Sequence, residues 1–162
     1  MRYVAFFRGI NVGGKNIVKM AELKKLFSGF GFQKIQTYIQ SGNVVFDAEE
    51  NPSQVMEKIQ EGFLAAFGFE SAMMLRTIEE MAGIIGDLPF SEQEIREAEA
   101  SDPAVEHLYV YLLDGTDVRE RAEQLLSSYT GPDLMRIGAN EIYLLCHESV
   151  RNSKLAVLLG KL

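Results

Sequence analysis

The residues best suited to chemistry stand near the start of the chain, in Arg8-Gly9-Ile10-Asn11-Val12-Gly13-Gly14-Lys15-Asn16, with Lys19 just beyond. Glycine backbone can turn several N–H groups toward one point, and the three cations add positive charge. That combination suits an anion. The expected contacts are Arg8, Asn11, Gly13, Gly14, Lys15, Asn16 and Lys19, and the expected ligand carries phosphate, as a nucleotide or an RNA does. The plainer reading is that glycines after a strand merely turn the chain.

Reactions are harder to find. Gly9-x-x-x-x-Gly14-Lys15 meets most of the P-loop pattern, and Val110-Tyr111-Leu112-Leu113-Asp114 mimics the apolar strand and Asp that accompany it. The pattern needs Ser or Thr after the lysine to hold a metal, and here Asn16 follows. Ile17 and Val18 also separate Lys15 from the helix whose N-terminus would hold phosphate. No general base stands beside the cations. His107, His147 and the single Cys146 lie far along the chain without metal-ligand spacing. Cys146 and His147 are strand neighbours, so they point to opposite faces and form no dyad. Both histidines are expected to end strands at the surface, and Arg151, Asn152 and Lys154 to be solvated before the last helix. The expectation is a binding module without cofactor or metal. The alternatives are an enzyme acting on a phosphorylated substrate in the same cleft, its cations stabilising developing negative charge, and a protein–protein module, including a homo-oligomer.

The charge distribution agrees with a localised anion site. The net charge is −7, yet residues 1–36 hold seven cations against Glu22 alone, a local +6, and the remainder carries −13. Such asymmetry points to an anionic ligand or an acidic protein surface. Overall acidity argues against broad, non-specific DNA binding, which rests on phosphate contacts. With 162 residues, 47% hydrophobic and 24% charged, the chain reads as an ordinary globular protein. No apolar run approaches the ~20 residues of a membrane helix. One cysteine and no signal-peptide pattern suggest the cytoplasm.

The elements that must position the loop follow from periodicity. Residues 2–7 read as a buried strand, and Met20, Leu23, Leu26, Phe27 and Phe30 recur at helical spacing. Ile35, Thr37 and Ile39 alternate with Gln36, Tyr38 and Gln40 on a half-buried strand. Ser41-Gly42-Asn43 turns into a return strand from Val44. Asn51, Pro52 and Gln54 form a helix start, Val55, Ile59, Phe63 and Phe67 its apolar face, and Gly68 its stop. A strand follows over 71–75, and Thr77 with Glu80 caps another helix. In a sheet of this order the glycine loop and the 41–43 turn are expected at opposite ends, with Gln36 and Tyr38 on an open face able to stack an RNA base.

This order, β-α-β-β-α-β, is ferredoxin-like. It restarts with a strand over 108–113, a helix bearing Val118, Ala122, Leu125, Leu126 and Tyr129, a hairpin around Gly138-Ala139-Asn140 and a final helix from Ser153. Phe7-Arg8-Gly9 is echoed by Leu113-Asp114-Gly115, and Gly42-Asn43-Val44-Val45-Phe46 by Asn140-Glu141-Ile142-Tyr143-Leu144. The expected class is α+β, two ferredoxin-like halves in tandem from an internal duplication, the second lacking its last strand and the glycine loop. The expected divisions are 1–86, an acidic connector over 87–106 with a short solvated helix, and 107–162.

Several segments together resemble the bacterial family called domain of unknown function 1697: Tyr3-Val4-Ala5, the loop Arg8–Asn16, Lys19-Met20-Ala21-Glu22-Leu23, Thr37–Phe46, His107–Leu113 and Ser153-Lys154-Leu155. The resemblance implies an α+β fold of two related subdomains and brings no established activity. Members of that family continue past the position of Leu162 with a segment rich in Thr, Arg, Asn and Trp that ends in a strand. This sequence has no tryptophan.

Overall fold

Alternating apolar residues in Arg-Tyr-Val-Ala-Phe-Phe make β1 (Arg2–Phe7), which buries Tyr3, Ala5 and Phe7 on one face. The structure, a computed structural model, describes residues 1–162 apart from the side chain of Thr116. It is α+β and divides into two units, Met1–Gly86 and Asp87–Leu162. No described helix is long and apolar enough to cross a membrane.

In the first unit β1 is followed by α1 (Met20–Gly29), β2 (Gln33–Tyr38), β3 (Asn43–Asp47), α2 (Pro52–Phe67), β4 (Met73–Thr77) and α3 (Ile78–Gly86). The strands form one antiparallel sheet in the order β2-β3-β1-β4. Leu23 and Phe27 of α1, and Val55, Ile59 and Phe63 of α2, bury themselves with the odd-numbered residues of β1, so both helices cover one face. The core is aromatic. Phe27 meets Phe46 edge-on at 5.0 Å, and Phe7 stacks on Phe63 at 5.0 Å. Such pairs add about 0.5–1.5 kcal/mol each beyond burial. The Asn51–Gln54 capping box forms in both directions, and Gly68 ends α2 in the left-handed region at φ +78°. Thr77 and Glu80 cap α3 reciprocally.

Two local expectations fail. The fourth strand begins two residues late, at Met73. Ile39 does not continue the apolar face of β2. The strand ends at Tyr38, and Ile39 turns to φ +49° with its side chain exposed. A β-branched residue there is strained.

The second unit holds α4 (Glu92–Ser101), β5 (Leu108–Leu112), α5 (Thr116–Ser128), β6 (Leu134–Ile137), β7 (Glu141–Leu145) and α6 (Lys154–Leu159). Its antiparallel sheet has the order β5-β7-β6. Ala122, Leu155 and Leu159 pack with Met135, Ile142, Leu144 and Cys146, which places α5 and α6 on one face. Arg136 alternates with Met135 and so faces the other way. There it donates two bonds to the Glu94 carboxylate, at 2.9 and 2.8 Å, and one to the Pro89 carbonyl at 3.0 Å. Its guanidinium lies 4.9 Å from the Phe90 ring. The Arg136 bonds, reinforced by the Ser91 N–H, hold the Glu94 carboxyl down at about 2. The segment 87–106 is therefore more than a solvated connector: Phe90 and Ala98 are buried and Glu94 is engaged.

The histidines also depart from expectation. His107 is buried rather than at the surface, with Nδ1 2.6 Å from the Cys146 carbonyl and Nε2 2.8 Å from the Asp102 carbonyl. It thus ties the segment after α4 to β7. His147 is half-buried. Cys146 is fully buried, and burial pushes its thiol up, away from reactivity. The buried Asp133 carboxylate accepts from the Ser153 hydroxyl at 2.6 Å and the His147 N–H at 3.0 Å. Its burial is accounted for by these bonds.

Candidate functional site

The glycine loop is a miniature hairpin. Val12 and Lys15 form a β-bridge, closed by the Lys15 N–H donating to the Val12 carbonyl at 3.1 Å. The two residues between them, Gly13 and Gly14, have φ +60° and +73°. Two successive positive φ values define the turn types that suit a two-residue hairpin, and glycine adopts them without steric cost. A Cβ at either position would meet nothing within 4 Å. Conformation, not close approach, therefore calls for glycine. A second rung follows, with the Asn11 N–H donating to the Asn16 carbonyl at 3.0 Å.

Both asparagines are engaged in building this shape. They sit at φ +53° and +52°, where Asn is tolerated better than most residues. The Asn11 amide grips Val18 from both sides: Oδ1 accepts the Val18 N–H at 2.8 Å, and Nδ2 donates to the Val18 carbonyl at 2.9 Å. Asn16 Nδ2 donates to the Gly9 carbonyl at 3.3 Å. Ile10 and Val18 are buried and pin the loop to the core.

The cations are placed differently. The Arg8 backbone is fixed, its N–H donating to the Ala72 carbonyl and its carbonyl accepting from the Ser71 hydroxyl, each at 2.8 Å. Its side chain is exposed, as are Lys15 and Lys19. Among the described residues none of these three cations has an ion-pair partner. By contrast, Arg2 pairs with Asp47 at 2.7 Å, and Lys58 pairs with Glu50.

The loop and the β2–β3 turn lie at the same end of the sheet, not at opposite ends. β1 and β2 are both antiparallel to the β3 between them, so they run the same way. Asn11 Nδ2 reaches the Gln40 carbonyl at 3.4 Å, and the Phe7 N–H donates to the Gly42 carbonyl at 3.1 Å. Gly42, at φ +78°, lets the two segments touch: a Cβ there would fall 2.7 Å from Ile10 Cδ1. Beside the cations, this end displays Val12, Ile17, Tyr38 and Ile39, each 65–73% exposed. Sequence reading placed Tyr38 on an open face but missed the other three, because nothing local distinguishes an exposed loop isoleucine from a core one.

Enclosure is not what this end offers. A cleft of about 580 Å³ opens beside the end of β1, lined by Phe7, Phe63, Glu61, Glu70 and Ser71 among others. Its charged lining residues are the two carboxylates, which disfavours an anion there. The chain can thus present charge and apolar groups together on an open surface.

The chain belongs to a family defined as a protein of unknown function, DUF1697, whose model matches residues 1–143. Its fold is similar to that of the conserved bacterial protein SP0830 from Streptococcus pneumoniae, at 26% sequence identity and a TM-score of 0.73, over 97% of this chain and 82% of that one. No protein of curated function matches the chain.

Proposed function

We propose that this is a non-catalytic cytoplasmic module that binds a phosphate-bearing ligand, specifically single-stranded RNA, across the loop end of the first sheet. The observation that carries this reading is the meeting of cations free of ion-pair partners, Arg8, Lys15 and Lys19, with exposed Tyr38 and Ile39 on a neighbouring turn. Single strands are held by cations along the backbone and by base stacking on aromatic rings. An open surface suits a chain better than a lone nucleotide, which favours a concave site. Gly13, Gly14, Asn11 and Asn16 serve as the scaffold that presents the cations. We also infer that both halves derive from one ferredoxin-like unit by duplication, since β5-β7-β6 repeats the order β1-β3-β2.

The test is thermal unfolding against nucleotides, sugar phosphates, coenzyme A and short RNA. A ligand at ~100 times its Kd adds ~2.7 kcal/mol to stability. RNA is expected to raise the melting temperature, and Arg8→Ala with Lys15→Ala to remove that rise. A shift that survives the double variant, or no shift with RNA, refutes the assignment. Binding of an acidic protein without RNA binding would favour a protein–protein module instead.

A further inference from the structure

The first sheet carries a row of side chains that the loop does not use. The register pairs Tyr38 with Asn43, Asn43 with Phe6 and Phe6 with Met74, so these four residues cross the sheet on one face. It is the face away from α1 and α2, because Val44 and Phe7, their neighbours in sequence, join the core beneath those helices. Gln36, two residues before Tyr38, lies on the same face. Tyr38 is 66% exposed, and Gln36 is exposed. Arg8 stands two residues beyond Phe6, with its N–H still bonded to the Ala72 carbonyl, and falls on this face by the same alternation.

Asn43 is the unusual member of the row. Asparagine is scarce in strands, and at a turn its side chain commonly bonds nearby backbone. The first unit has three other asparagines, each engaged in that way: Asn11 with Val18, Asn16 with Gly9 and Asn51 with Gln54. The Asn43 side chain makes no hydrogen bond among the described residues, and neither of its amide atoms is sealed from the surface. It therefore holds a donor and an acceptor side by side next to an exposed aromatic ring. Directly opposed residues of a sheet have Cβ atoms about 4.5–5.5 Å apart, so a flat group lying on the Tyr38 ring has its edge within reach of Asn43.

We propose that Asn43 reads the edge of an RNA base stacked on Tyr38, and that this base is adenine; the proposal rests on the RNA reading above and names the strand it selects. Sequence-selective proteins splay single-stranded bases onto aromatic rings and hydrogen-bond their edges. A side-chain amide pairs bidentately with adenine, which presents a donor beside an acceptor. Guanine is best read at its two adjacent acceptors by Arg or Lys, and Tyr38 has neither beside it in the row. The pyrimidines cover less of the ring and stack more weakly. Arg8 on the same face, with Lys15 and Lys19 on the loop, takes the flanking phosphates.

Fluorescence anisotropy with labelled eight-nucleotide uridine strands, each carrying one central A, G, C or U, tests this. The wild type is expected to bind the adenine strand about tenfold more tightly than the all-uridine strand. Asn43→Val should bind the all-uridine strand as before and lose the preference, and Asn43→Ser replaces it if thermal melting shows that the valine variant does not fold. Tyr38→Ala should weaken every strand by about fivefold or more, whereas Tyr38→Phe, which keeps the ring, should weaken none. Equal affinity for the four strands, preference for another base, or an adenine preference that survives loss of the Asn43 amide overturns this proposal while RNA binding stands. Failure to bind any of the strands at low salt overturns both.

Discussion

The opening strands of the two halves reach their helices by different routes. β5 passes to α5 through Leu113-Asp114-Gly115, whereas β1 passes to α1 through Arg8 to Lys19 and builds a two-rung hairpin on the way. The fold does not require that extra length, since the second unit does without it. The insert is shaped by its own asparagines and glycines, held to the core by Ile10 and Val18, and left with its cations in solvent. The strands also differ in company. β1 is paired on both sides, by β3 and β4, while β5 is paired on one. The first half carries an elaborated end that the second half lacks.

This contrast can be broken at several strengths. The largest effect should come from the cores. Phe27→Ala removes a fully buried ring from the aromatic cluster and should cost about 3–5 kcal/mol in denaturant unfolding. Ala122, fully buried on the first helix of the second half, should cost only about 1 kcal/mol when changed to Gly. Next is the joint between loop and turn. Gly42→Ala forces a Cβ against Ile10 and Phe7 at a positive φ and should cost about 1–3 kcal/mol. Gly13→Ala meets no neighbour and should cost nearer 1 kcal/mol from backbone conformation alone. Equal costs would mean that the loop is not packed on the turn. Asn11→Ala should cost about 1–3 kcal/mol and speed hydrogen exchange at the Val18 amide, leaving the second unit's amides unchanged.

Weaker effects sharpen the picture. The folded Glu94 carboxyl lies at about 2, below its unfolded value near ~4.3. Its contribution is therefore present above that value and lost as pH falls toward 2. Arg136→Gln should flatten the acid limb of a stability–pH curve, and an unchanged limb would deny the pairing. The smallest change is a gain. Ile39→Gly relieves a β-branched residue at φ +49° and should stabilise the first unit by up to about 1 kcal/mol in thermal melts.

Much of this was legible in the sequence because its signals are local. Asn51-Pro52 with Gln54 and Thr77 with Glu80 declare helix starts, and both capping boxes form. The element order follows from where periodicity changes. What stayed hidden depends on distant partners. Glu94 looked like a solvated acid because Arg136 is far along the chain. His107 looked like a strand end because its carbonyl partners belong to residues 102 and 146. The glycine loop advertised its turn, but its placement against Gln40 and Gly42 is set by the sheet's strand directions. Ile39 broke the alternation of β2 because a turn needed the residue more than the core did.

The loop end is proposed to hold a phosphate backbone. The most direct measurement is the affinity for a labelled single-stranded RNA as a function of salt, for the wild type and for the combined Arg8→Ala, Lys15→Ala and Lys19→Ala variant. Affinity should fall as salt rises, with a log–log slope of about −0.7 per phosphate contacted. The variant should lose binding while melting at an unchanged temperature. Wild-type chain that fails to bind at low salt, or a variant that binds equally well, would contradict the account.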